Sequence, residues 1–235
     1  MEVANKTAKP VLFCWSGGKD SCMALHQLRR EPLREVVALL TTVTEDYDRI
    51  SMHGVRRNLL ERQAAALGLP LEIVTIPPQC VNTEYESRME AMLLTWKNRG
   101  VTDVAFGDIF LQDLREYREK NLARVGMNAL FPVWLHPTRE LVREFIALGF
   151  RAVTVCVDPK ILDKSFAGRE IDADFLAALP AAADPCGENG EFHSFVYDGP
   201  GFSAPVEFTL GEKVLRDGFY FCDLLSAESS VISPR

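Results

Sequence analysis

Between residues 11 and 157 the chain alternates short aliphatic runs with segments of helical periodicity, and this restricts it to few folds. "VLFCW" (11–15) is a continuous apolar run, as expected of a strand covered on both faces. "SCMALHQLRR" then carries Cys22, Leu25 and Leu28 at helical spacing. "VVALLTTV" (36–43) and "LEIVTI" (71–76) read as strands, with a helix over 55–67 between them. A helix follows over 83–98, with Met89, Met92, Leu93 and Trp96 inward. Then come "DVAFGDI", a polar helix over about 112–125, the strand "LFPVWL", a helix over 139–148 and the strand "AVTVCV" (152–157). Such alternation implies right-handed crossovers and a parallel sheet. After 158 the pattern changes to a short helix (172–179), a stretch rich in Gly, Pro and aromatics (184–203), and a hairpin built from "FTLG" and "FYFCDLL". The expected architecture is α/β: an open parallel sheet over residues 1–136 and a smaller α+β domain over 137–235.

At 235 residues and 47% hydrophobic, the chain can bury cores of this size. Its net charge of −7 argues against a generic nucleic-acid or anionic-membrane surface. No apolar run approaches the roughly 18 residues of a membrane span, and "MEVANKTAKP" lacks a signal peptide's apolar core. A cytoplasmic protein is expected. The six cysteines (14, 22, 80, 156, 186, 222) form no CxxC pair and read as buried small apolar groups in a reducing compartment.

In an open parallel sheet, ligands bind beyond the carboxyl ends of the strands, where strand order reverses. The first strand–helix turn here is Ser16-Gly17-Gly18-Lys19-Asp20-Ser21. Two glycines let backbone N–H groups approach an anion, and Ser21 opens a helix whose N-terminus attracts phosphate. Asp20 would repel phosphate; a Mg²⁺ ion between its carboxylate and the phosphates removes the conflict. The spacing is neither GxxxxGK[ST] nor GxGxxG. It resembles the PP-loop of the ATP pyrophosphatases, which cleave ATP between the α and β phosphates. A second dense stretch, "DPCGENGEFHSFVYDGPGF" (184–202), places Glu188, Asn189, Glu191 and His193 within six positions. Its glycines make it turn-rich, and loops of mixed chemistry on a rigid scaffold commonly carry function.

Together, "SGGKDSCMALH" and "GENGEFHSF" resemble the diphthine–ammonia ligase family, over nearly the whole chain and including "GDI" (107–109) and "ALGLPL" (66–71). The resemblance implies an adenine nucleotide α-hydrolase (HUP-like, PP-loop) domain that binds ATP and a C-terminal domain that presents the second motif at the substrate cleft. It also implies the reaction: a carboxylate is adenylated and ammonia displaces AMP, giving an amide. Ser16, Gly17, Gly18, Asp20 and Ser21 match the phosphate loop; Gly187, Glu188, Asn189, Glu191 and His193 match the second motif. "SMHGVR" (51–56) stands where archaeal and eukaryotic members resemble "MFHTPN", and "IFLQDLREYRE" (109–119) looks like a bacterial branch, so the carboxylate acceptor stays open.

For this chemistry the loop N–H groups and Lys19 would stabilise the departing pyrophosphate, and Asp20 would hold Mg²⁺. Thr41 and Thr42 end the second strand, where backbone groups would read adenine. His53 lies just beyond, facing the α-phosphate or ribose. Gly107 and Asp108 end the fourth strand of the alternation, with Asp108 toward ribose or metal. Glu188 and Glu191, with His193 as alternative, would take the proton from attacking ammonia. Gly187 and Asn189 would shape the substrate site, and Arg115 and Arg118 would recognise an anion, although Arg115–Glu119 also pairs naturally at i,i+4. The expected partners are ATP, Mg²⁺, ammonia and a small-molecule or protein-borne carboxylate, with a homo-oligomer also open. Two other readings stand beside this one. The first is a PP-loop tRNA-modifying enzyme, disfavoured by the acidic charge and the lack of a reactive cysteine pair. The second is a module that binds ATP or AMP without chemistry.

Overall fold

The computed structural model describes residues 8–45, 48–50 and 54–227. β1 (Lys9–Cys14), α1 (Lys19–Leu28), β2 (Arg34–Thr44), β3 (Arg49–Ile50), α2 (Arg57–Ala66), β4 (Leu71–Ile76), α3 (Asn82–Asn98), β5 (Asp103–Ala105), α4 (Gln112–Arg124) and β6 (Asn128–Leu130) follow one another. They build a sheet ordered β4-β2-β1-β5-β6, parallel throughout, with the two-residue β3 antiparallel on the end of β2. The chain runs outward from β1 to β2 and β4, then returns to β5 on the other side of β1. The strand order therefore reverses between β1 and β5, and their carboxyl ends flank the crevice where such sheets bind ligands.

Side chains alternate across β1. Leu12 packs with Leu40, Val104, Phe106, Leu93 and Trp96 under α3 and α4. Val11 and Phe13 point the other way, into a cluster with Met23 and Leu25 of α1 and Leu59 and Leu60 of α2.

The remaining elements are α5 (Thr138–Ala147), β7 (Arg151–Val157), a 3₁₀ turn (Lys164–Phe166), α6 (Ala173–Ala178), β8 (Phe192–Asp198), β9 (Phe208–Arg216) and β10 (Phe219–Ser226). β8-β7-β10-β9 form an antiparallel sheet whose β9–β10 hairpin matches the one expected from sequence. Val153, Phe192, Phe195 and Leu224 of this sheet belong to the same apolar cluster as Phe13 and α1. The two sheets thus share one core.

Two sequence expectations need correction, and one strand was missed. "AVTVCV" continues the alternation in sequence but leaves the parallel sheet, pairing with β8 and β10 as β7. "LFPVWL" is a strand only to Leu130: Pro132 has no N–H for a ladder, and the chain turns, with Trp134 N–H on Phe131 O and His136 N–H on Val133 O. Strand β8 is absent from that reading, because the glycines and prolines on both sides of "FHSFVY" mask a run in which Phe192, Ser194, Phe195 and Val196 are buried. The six cysteines are all free thiols.

Candidate active site

α1 starts at Lys19 with Gly18 as an N-cap that has no side-chain capping bond, so the first-turn N–H groups are not claimed by a cap. The turn before it is fixed from within. Ser16 and Ser21 hydroxyls lie 2.8 Å apart, and Gly18 N–H donates to Ser16 Oγ at 3.2 Å. Gly17 sits at φ 76°, which favours glycine. Gly107, beyond β5, is required for a different reason: a Cβ there would lie 2.8 Å from the Ser21 nitrogen. The β5 turn thus presses directly on the start of α1.

The second sheet completes this loop. Ser194 Oγ of β8 accepts the Lys19 N–H at 3.1 Å, and Val196 N–H donates to Gly17 O at 2.9 Å. Lys19 is only 3% exposed; its ammonium donates to Asp20 Oδ2 at 2.8 Å and to the Cys186 carbonyl, over the Phe192 ring. Burial depresses this ammonium, but Asp20 together with Cys186 and Glu188 outweighs it, and the group stays above its ordinary range. Burial raises Asp20, against the pull of Lys19. Its second oxygen, Oδ1, is buried with no hydrogen-bond partner.

Facing the loop is the 184–194 segment, and a cleft of about 530 Å³ lies between them. Ser16, Gly18, Lys19, Asp20, Ser21, Thr41, Thr42, Gly107, Asp108, Arg118, Gly187, Glu188, Asn189 and His193 all line it. The Thr41 hydroxyl is buried there without a partner. Glu188 Oε1 accepts Ile109 N–H at 2.8 Å and Phe110 N–H at 3.4 Å. Burial lifts its pKa to about 7, assisted by the Asp20 carboxylate and opposed by the two N–H groups and Lys19. His193 is driven down to about 4 by burial and then by Lys19, so its imidazole is neutral at pH 7. Asp108 pairs with Arg118 at 2.6 Å, and that guanidinium lies over Phe106.

Three expected residues are not in the cleft lining: Glu191, Arg115 and Gly17, which backs onto Gln63 and Leu60. Glu191 is 4% exposed and is used up by its own loop, accepting from Asp184 N–H, Asn189 N–H and the Asn189 amide. Arg115 faces outward, bonded to Glu119 at 2.8 Å and stacked over Phe131 and Trp134. His53 lies outside the described residues. Sequence reasoning missed Ser194, Asp184 and Gln63. Asp184 organises the loop through Cys186 N–H, Glu188 N–H and Thr138 Oγ1. Gln63 is an amide on the apolar face of a helix, beside Leu59, Leu60 and Ala64, and that misfit was a readable signal.

A glycine-rich loop at the switch point of a parallel sheet, with an antiparallel sheet domain closed over it, defines a two-part α/β protein with its cleft between the two motifs. Comparison with known proteins narrows this. The profile "Diphthamide synthase N-terminal domain" matches residues 9–129 and "Diphthamide synthase C-terminal domain" matches 137–228. The chain belongs to the diphthamide synthase family. It is 27% identical over 232 residues to a diphthine–ammonia ligase of Mus musculus, covering 88% of this chain and 85% of that protein. The ligase of Danio rerio is 27% identical over 224 residues (86% and 87%), and that of Schizosaccharomyces pombe 27% over 234 residues (91% and 38%).

Proposed function

We propose that the protein is an ATP-dependent carboxylate–ammonia ligase of the cytoplasm that releases AMP and pyrophosphate. The observation that carries this reading is the placement of Glu188, with a pKa of about 7, across one cleft from the Ser16–Ser21 loop. An adenylating ligase needs a phosphate cradle and a proton acceptor at a common centre, and a group poised near neutrality suits the second task.

A carboxylate is a poor acyl donor because oxide would have to leave. In the proposed reaction its oxygen attacks the α-phosphorus, and the bond to the β-phosphate bridging oxygen breaks. The Asp20 and Ser21 N–H groups in the first turn of α1 and the Lys19 ammonium stabilise charge on the departing pyrophosphate. Asp20, whose Oδ1 has no hydrogen-bond partner, would hold a Mg²⁺ ion, which would neutralise charge on the phosphates. Ammonia then attacks the acyl carbon, AMP leaves, and Glu188 takes the proton. Thr41, Thr42, Arg118, Asn189 and Gly187 line the same cleft; the threonines would face the base, and the others an acceptor that is a small molecule or protein-borne.

The test is a screen of candidate carboxylates with ATP, Mg²⁺ and ammonium. It reads pyrophosphate, AMP and a product lighter by about one mass unit, hydroxyl having become amino. ADP and orthophosphate as sole products overturn the reading. ATP binding with no turnover against any acceptor class favours a non-catalytic module.

A further inference from the structure

The Gln63 side chain joins α2, the phosphate loop and the second sheet. It is fully buried. Oε1 accepts the Trp15 indole N–H at 2.7 Å, while Nε2 donates to Gly17 O at 3.0 Å and to Val196 O at 2.6 Å. Leu59, Leu60 and Ala64 on the same helix face are plain core residues, and a leucine at 63 would avoid the desolvation cost of an amide. The amide is matched instead to the backbone it holds.

A trans peptide unit points its C=O and N–H in opposite directions. Gln63 and Val196 N–H draw the Gly17 carbonyl toward α2 and β8, and this fixes the Gly18 N–H on the opposite side, on Ser16 Oγ. Ser16 and Gly18 both line the cleft. At Gly17, a Cβ would lie 2.8 Å from Gln63 Oε1, so the loop is seated directly on this side chain. We propose that Gln63 is a positioning residue: it fixes the Gly17–Gly18 peptide, whose Gly18 N–H holds Ser16 Oγ, and so keeps the cleft-lining loop in the shape that receives the β and γ phosphates, without touching the nucleotide. The proposal rests on the ATP reading above and deepens it.

Two measurements separate the proposal from a merely structural role: the thermal midpoint, and the ratio of ATP to AMP affinity by calorimetry with Mg²⁺ present. The loop serves the β and γ phosphates, so Gln63→Met should weaken ATP by roughly tenfold, the scale of one or two lost hydrogen bonds, and leave AMP nearly unchanged. Gln63→Glu, which keeps an acceptor for Trp15 but loses both donations, should behave alike. Equal loss of both ligands, or no loss in a folded variant, overturns the inference while leaving the ATP reading intact. If neither substitution folds, Trp15→Phe releases Oε1 alone and is read by the same ratio; an unchanged ratio overturns the inference. Wild-type protein that binds ATP no more tightly than AMP overturns this proposal and the loop's assigned role together.

Discussion

Glu188, on the loop before β8, places a carboxylate oxygen 2.8 Å from the backbone nitrogen of Ile109, just past the end of β5. One side chain thus spans the cleft from the second domain to the switch point of the first. Its burial sets its protonation near pH 7 and its reach sets where a proton would be taken.

Glu188→Gln should keep ATP binding and lose amide formation by about 10²–10⁴, the usual worth of a positioned proton acceptor. In the wild type the base form is the carboxylate, so the rate should fall as pH drops below about 7. Stability carries the opposite sign. The folded-state pKa lies above the ordinary carboxylate value, so folding binds the proton more tightly than the unfolded chain does. The associated stability is present at low pH and lost as pH rises from about 4.5 through about 7. The thermal midpoint of the wild type should therefore fall relative to Glu188→Gln over that window, and a flat difference between the two would show that Glu188 is not perturbed.

Asp20→Ala should abolish the magnesium-dependent part of ATP affinity. Calorimetry with and without a chelator measures this, and an unchanged difference removes Asp20 as a metal ligand. The same substitution leaves the buried Lys19 ammonium with the Cys186 carbonyl but without its carboxylate, so a lower thermal midpoint is expected as well.

Glu191→Gln should act on stability before chemistry. The buried carboxylate accepts three hydrogen bonds from Asp184 and Asn189, and the amide cannot accept them all. A loss of about 1–3 kcal/mol is expected, with faster hydrogen exchange across 184–190 and no shift in the pH–rate profile. A shifted profile at full stability would return Glu191 to the chemistry.

Arg115→Ala and Arg118→Ala should separate sharply. Arg115 is a surface partner of Glu119, and its loss should cost at most about 1 kcal/mol with turnover unchanged. Arg118 neutralises Asp108 on the cleft wall, and its removal should impair acceptor or nucleotide binding in steady-state kinetics. Equal behaviour of the two would argue against an anion-recognising role for Arg118.

The alternation of apolar runs made the parallel sheet legible, since a strand buried on both faces and an amphipathic helix leave different periods in sequence. Leu12 against Val11 and Phe13 shows that reading realised on opposite faces of β1. The glycines of the Ser16–Ser21 turn and the "GENGEFH" cluster drew attention to the two walls of the cleft for chemical reasons that survive in the geometry. What stayed hidden depends on contacts between distant positions. Nothing near Ser194 signals that it holds an N–H 175 residues away, and the rank of Glu188 over Glu191 is set by which carboxylate the loop's own backbone consumes. Likewise "AVTVCV" carries no mark of which sheet it will join, because a buried antiparallel strand and a buried parallel one read alike.

The cluster that runs from Phe13 through α1 to Phe195 and Val196 has a consequence for how such a chain can change over generations. Val196 packs in that cluster and its backbone holds the Gly17 carbonyl, so a substitution accepted there for packing alone also moves the atoms that seat the phosphate loop. Close-packed interiors transmit small displacements rather than absorb them. Mutational drift in the second sheet is therefore filtered by what the first sheet must hold. Neither half can be exchanged for a foreign counterpart unless the interior of the other is inherited with it.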